Sequence, residues 1–224
     1  MPASSTYTFT LPIDELLSEA SQRVGGEPVG GAEAEETLRV LNLFFTDLSN
    51  RGFPLHLVER VEQALTTAVA TVTPTATTQD IMHILVRRAS IDYPLKRMTY
   101  EEYQNIPNKF ITGRPIQFYV DRRVGGPVVY LWPQPENATD VLTYLRVRYI
   151  QDSGALRYDT DFPRRFFPAL VSGLAYFLGM RRYNFPLDKL QWLKNQYEED
   201  VQRAMEEDRE RGSLRITPKL GLWR

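Results

Sequence analysis

Cysteine is absent from the 224-residue chain. Its absence excludes a disulfide scaffold, thiolate zinc sites and thiol catalysis. Histidine is nearly absent, with only His56 and His83. A histidine-based triad or zinc centre needs imidazoles held by acidic neighbours, and neither residue has that local company. Charge excess is missing as well: 27 basic against 28 acidic side chains leave a net charge of −1. A protein that grips DNA needs a basic excess to displace counterions, so a clamp is not expected. There is no long hydrophobic run. Phe166 to Met180 is uncharged but only fifteen residues long, and arginine pairs close both ends. A membrane span needs about 20 apolar residues, so this stretch reads as a buried helix. Met1 to Thr10 is polar and does not resemble a secretory leader.

What is present is ordinary globular material, with 42% hydrophobic and 25% charged residues. The N-terminal part is helical. Pro12 sits where a first helical turn tolerates proline, with Asp14 and Glu15 behind it. A glycine-rich loop over 25–31 ends that helix. A second is expected from Ala32 to Asn50, where Leu38, Leu41, Phe45 and Leu48 keep helical spacing. The middle favours strands. Thr66 to Thr78 contains seven threonines and suggests a strand pair or an extended arm. Ile81 to Arg87 fits a strand buried on both sides. Thr99 with Glu102 forms a capping box for a short helix from Tyr100 to Ile106. Three runs, Ile116–Val120, Val128–Trp132 and Val141–Ile150, suggest a three-stranded meander.

The C-terminal part is helical again. Phe167, Leu170, Leu174 and Phe177 form one stripe, with Ala169 and Gly173 permitting a close helix contact. A last helix is expected over 187–211, with Leu190, Leu193, Tyr197, Val201 and Ala204 on one face. Glu199→Arg203 and Glu207→Arg211 lie in the favourable order and contribute about 0.3–0.5 kcal/mol each. The chain is thus expected to be α+β. Its body is a helical bundle, made of N-terminal helices (1–54) and a C-terminal helical pair (153–212). An antiparallel β-domain (55–152) is inserted, and an extended tail (213–224) follows.

No reaction centre stands out. The double-glycine loops lack the Lys-Ser or Lys-Thr of a phosphate cradle. Glu101-Glu102 and Glu198-Glu199 are neighbours that diverge by about 100° on a helix, so they are solvated faces and not a catalytic pair. Catalytic residues, cofactors and metals are therefore not expected. Carboxylates distant in sequence leave one enzymatic alternative open, a cell-wall (peptidoglycan) hydrolase. The sequon Asn137-Ala138-Thr139 carries little weight without a secretory leader. Arginine is the informative residue: it supplies 22 of the 27 basic side chains, often in pairs. It is enriched at protein interfaces and suggests a surface built for partners. Residues 1–86 hold four basic and eleven acidic side chains, and residues 87–182 hold fifteen and nine. That asymmetry would suit head-to-tail association.

Several stretches taken in order resemble a known family. They are Tyr93-Pro-Leu95, Tyr100-Glu-Glu-Tyr-Gln-Asn-Ile-Pro-Asn-Lys109, Gly113-Arg-Pro-Ile-Gln-Phe-Tyr-Val-Asp-Arg122 and Tyr130-Leu-Trp-Pro133. Asp161-Phe-Pro-Arg-Arg165, Ala169 to Tyr176, Tyr197-Glu-Glu-Asp200 and Ser213-Leu-Arg-Ile-Thr-Pro218 continue the pattern. Together they are similar to the head-to-tail adaptors, or tail accessory factors, of short-tailed bacteriophages. The resemblance implies a dodecameric ring in the virion neck, between the portal protein and the tail nozzle. Double-stranded DNA would pass through it without sequence-specific binding, and no membrane is involved. It further implies Leu214, Ile216, Leu220, Leu222 and Trp223 as portal-docking residues, and Arg122 and Arg123 on the tail side. Another tail-completion protein is the remaining structural alternative.

Overall fold

The computed structural model describes residues 9–26, 32–52 and 55–209. Among the described residues, five α-helices and antiparallel sheets give an α+β fold. The first helix, α1 (Ile13–Arg23), starts behind Pro12, whose φ of −62° and ψ of 155° hold it just outside the helix. It buries Ile13, Leu16, Leu17 and Ala20, the one-face spacing of a helix against a core. Its end needs a glycine. Gly25, at φ 72°, lets its own N–H reach the Gln22 carbonyl and the Gly26 N–H reach Ser21, closing the helix in a Schellman turn.

Helix α2 (Ala32–Asn50) has the bounds expected from its sequence and stops at Arg51-Gly52. A short 3₁₀ turn, Leu55–Leu57, leads into the strands. These are β1 (Val58–Ala64), β2 (Thr71–Val72), β3 (Thr78–Arg88), β4 (Ile91–Pro94) and β5 (Lys96–Arg97). Helix α3 (Tyr100–Gln104) follows. Then come β6 (Thr112–Gly113), β7 (Gln117–Arg123), β8 (Gly126–Trp132), β9 (Gln134–Pro135) and β10 (Val141–Arg148). The Thr99–Glu102 capping box of α3 is formed, with both reciprocal bonds present.

Two four-stranded sheets, ordered β1-β10-β3-β4 and β2-β8-β7-β5, face each other. Ile81, Ile84, Val86, Phe118, Val120, Val129, Leu131, Leu142 and Tyr144 fill the space between them. A three-stranded meander is not what forms. β7 and β8 do make a hairpin, but β10 leaves it and inserts between β1 and β3 in the opposite sheet. Alternation along β10 specifies a buried face, not which strand lies beside it.

Nor is Ile81–Arg87 buried on both sides. The β3–β10 register skips from His83 to Ile81, leaving Met82 as a bulged residue. Met82 and His83 are exposed, while Asp80 and Ile81 are both buried. The threonine-rich stretch yields a two-residue edge strand and the start of β3. Two short parallel pairings, β5 with β7 and β6 with β9, complete the set.

Helices α4 (Phe167–Arg181) and α5 (Leu187–Glu207) share one core with α1 and α2. In α4, every residue from Ala169 to Ala175 is buried, so this is the central helix. Each large apolar side chain sunk in this core, such as Leu16, Leu41, Phe44 or Leu174, contributes about 1.5–3 kcal/mol. β10 reaches both cores: Leu142 and Tyr144 lie between the sheets, while Val147 packs with the helices. Helix α5 ends at Glu207, earlier than its sequence suggests, with buried Asp208 just beyond it. Glu199 and Arg203 pair at 3.2 Å, whereas Arg211 lies outside the described residues.

Candidate functional site

The paired arginines brace the fold. On β3, Asp80 is only 5% exposed and receives Arg97 of β5 at 3.1 Å and Arg122 of β7, so it ties one sheet to the other. Arg97 also donates to the Ile81 carbonyl at 2.8 Å. Asp140 is 1% exposed and accepts a fork from Arg88 at 2.6–3.0 Å, while Glu136 takes that arginine's remaining nitrogen. These two carboxylates hold the Arg88 guanidinium well above its ordinary pKa. Arg146 bonds Glu59 at 2.7 Å and points its other end at the hydroxyls of Thr75, Thr77 and Thr78. The threonine cluster thus surrounds one guanidinium. Arg148 bridges Glu59 and Asp161, and the Gln151 N–H adds a bond to Asp161. Burial pushes the Asp161 carboxyl up, but these donors outweigh it and hold the group below the usual carboxylate range. Arg165 meets Asp208, whose other oxygen accepts from the Leu55 N–H at 2.5 Å.

Both tail-side candidates have partners within the chain. Arg122 meets Asp80, and Arg123 contacts Asp121 at 2.7 Å and the Tyr130 hydroxyl at 2.8 Å. They sit beside the two-residue turn Val124-Gly125, where Gly125 takes φ 97° and Val124 is fully exposed. The five proposed docking residues, Leu214, Ile216, Leu220, Leu222 and Trp223, lie outside the described residues.

Sequence reasoning missed three surfaces. Tyr103, Tyr119 and Tyr130 stack with centroids 5.3–6.1 Å apart on the outer face of the β7–β8 hairpin, and Tyr100 extends the row. The alternation of Tyr119 with Phe118 and Val120 was the signal that could have found it. Burial raises the pKa of Tyr103 and Tyr119, so both remain neutral phenols. Second, Tyr183 in the α4–α5 connection and Leu187 and Trp192 early in α5 are large exposed side chains. Third, a groove of about 670 Å³ runs between α1 and α4, lined by Phe9, Leu11, Glu15, Glu19, Phe167 and Val171.

A larger cleft of about 780 Å³ lies where sheet and helices meet, beside Arg146 and Arg148. Their guanidiniums are already engaged by carboxylates and hydroxyls. His56 is packed against Phe162 and Phe166, with neither ring nitrogen bonded, and burial lowers its pKa. Among the described residues, no group of three or more metal-type side chains converges. None of their helices is long and apolar enough to cross a membrane. The Asn137 side chain closes its own turn, accepting from Thr139 and Asp140.

The described residues thus hold arginine-braced sheets, a tyrosine row on the β7–β8 hairpin and exposed aromatic side chains. The chain belongs to the SU10 adaptor protein family, whose model matches residues 11–218. It is therefore a bacteriophage adaptor protein, a structural component of the virion at the head–tail junction. A search of curated proteins found no match.

Proposed function

We propose that the chain is the head-to-tail adaptor of a short-tailed phage, forming a dodecameric ring that joins the portal to the tail nozzle and continues the DNA channel. The observation that carries this reading is the family match through nearly the whole chain, from residue 11 to residue 218. The four helices around one core serve as a bundle-like ring body, the β part faces the tail, and residues 213–224 reach the portal. Leu214, Ile216, Leu220, Leu222 and Trp223 are the portal contacts. Arg122 and Arg123, at the hairpin turn, are the tail-side contacts. A net charge of −1 suits a channel through which DNA must slide.

The role is structural and not enzymatic. Buried Asp80, Asp140 and Asp208 are each held by arginine, and Asp161 is kept below the usual carboxylate range. A glycosidase acid needs a raised pKa, the opposite of the shift at Asp161. The reading is tested by mixing the chain with its cognate portal and weighing the product by native mass spectrometry. A portal-bound ring is expected. A chain that stays monomeric beside an intact portal overturns the reading.

A further inference from the structure

Helix α4 separates two surfaces that point in different directions. Toward one of them, Gly173 meets Phe44 of α2 and Tyr197 of α5. Phe167 and Val171 lie about 120–160° away from Gly173 around the helix, and they line the groove between α1 and α4. On the Gly173 side, α2 and α5 form a seam. Leu43 lies one turn before Asp47, which accepts from the Tyr197 hydroxyl. On α5, Leu187, Lys194 and Met205 fall within about 20° of one another, and Met205 lies against Gly52 just past α2. That stripe of α5 therefore faces the α2 side. Leu43 is 62% exposed and Leu187 80%. Glu198, one turn beyond Lys194, acts on Arg51 of α2. Among the described residues, Lys194 has no ion pair.

The groove on the other side is apolar along Phe9, Phe167, Pro168 and Val171, and the Phe9 and Phe167 rings meet edge-on at 5.7 Å. Its charged lining is mostly satisfied. Glu19 and Arg23 pair at 3.4 Å, and Arg164 is engaged within the chain. Glu15 alone of these lining charges has no ion pair among the described residues. Each surface thus joins exposed apolar side chains to one unpaired charge, negative in the groove and positive on the seam. Unlike charges draw two surfaces together and fix their register. Two different surfaces that complement each other on separate sides of one subunit make a heterologous contact, which closes into a ring when the rotation permits.

We propose that the α2–α5 seam of one copy docks into the α1–α4 groove of the next, with Leu43 and Leu187 against Phe9 and Phe167 and Lys194 beside Glu15. The docking rests on the proposed ring and supplies its neighbour contact. Native mass spectrometry of portal-bound assemblies counts the copies gathered on each portal. Lys194→Glu and Glu15→Lys should each cut the yield of complete rings about tenfold or more, because like charges then meet at every contact. Combined in one chain, the two reversals restore opposite charges and should recover the parent yield to within about twofold. Both side chains are exposed, so the urea midpoint should not move in any of the three. Single variants that assemble like the parent overturn the docking. So does a double variant that fails to recover, because the groove then has a different occupant. The contact is also measurable without portal, since the chain has no cysteine. Ser18 lines the groove, and Gln191 lies one turn beyond Leu187 on α5. When Ser18→Cys copies are mixed with Gln191→Cys copies and oxidised at high concentration, the mixed disulfide should exceed both self-pairs beyond random pairing. Random amounts overturn the docking. A parent chain that gathers no ring on the portal overturns the ring instead, and the mixed disulfide still decides the docking.

Discussion

At Gly173 of α4, side chains from α2 and α5 press against the helix backbone. A Cβ placed there would lie 2.5 and 2.6 Å from two ring carbons of Phe44 and 2.7 Å from Tyr197. Carbon atoms prefer about 3.5–4.0 Å, so something must move by about 1 Å. Neither ring is free to do so. Phe44 is fully buried, with Phe177 at 5.4 Å and Tyr197 at 5.6 Å. Tyr197 donates its hydroxyl to Asp47 at 3.0 Å and lies under the Arg51 guanidinium at 4.7 Å. Overpacking of this kind costs about 1–3 kcal/mol. Replacing glycine by alanine inside a helix returns about 1 kcal/mol. Gly173→Ala should therefore lose up to about 2 kcal/mol, and Gly173→Val more. Urea denaturation reads this as a lower midpoint at unchanged slope. By heat it is a fall of about 2–4 °C per kcal/mol for a chain of this size. Gly179 provides the control. A Cβ there meets only the side-chain ends of Leu190 and Phe185, at 3.3–3.4 Å. Gly179→Ala should be neutral or stabilising by up to about 1 kcal/mol. If Gly173→Ala proves as stabilising as Gly179→Ala, the close-contact argument is wrong.

Asp208→Ala removes the acceptor shared by Arg165 and the Leu55 N–H, and should cost about 2–3 kcal/mol in urea denaturation. Asp140→Ala strands the Arg88 fork and should cost a similar amount, about 2–3 kcal/mol, since hydrogen bonds to charged groups are the strong ones. The pH dependence has two limbs. His56 has its folded pKa depressed by burial below the ordinary 6.5, so its contribution is complete above that pH and is lost as pH falls. His56→Phe should flatten the loss of stability that begins as pH falls below 6.5. Asp161 is likewise depressed, from an ordinary 3.8, so its contribution is present above that value and lost as pH falls through the folded pKa. Asp161→Asn should flatten only this more acidic limb, measured by the same denaturation series.

Helices were the legible part of the fold. The bounds of α2, the cap of α3 and the small-residue contact at Gly173 all follow from patterns within about one helical stretch. Sheet partners were not legible, because β10 chooses neighbours more than fifty residues upstream and alternation is silent about which. The bulge at Met82 hid for the same reason: one inserted residue changes which side chains face inward without changing composition. The arginines have internal partners that the sequence does not show. Arg122 finds Asp80, Arg146 finds Glu59 and Arg165 finds Asp208, at separations of 42, 87 and 43 residues. From sequence alone, such side chains look unattached and ready for a partner. The tyrosine row was visible in part, but only the hairpin register brings Tyr119 beside Tyr130.

The sharing of one core by the first and last helices has a consequence for how the chain is made. Every strand of both sheets has been synthesised once β10 is complete at Arg148. The apolar faces of α1 and α2 meet their partners only when α4 and α5 follow, ending at Glu207. At about 5–20 residues per second, α2 waits roughly 8–30 s for α5. During synthesis the middle of this protein can close before its beginning does. Leu41, Phe44 and Phe45 are then the side chains that a chaperone would meet on the unfinished chain.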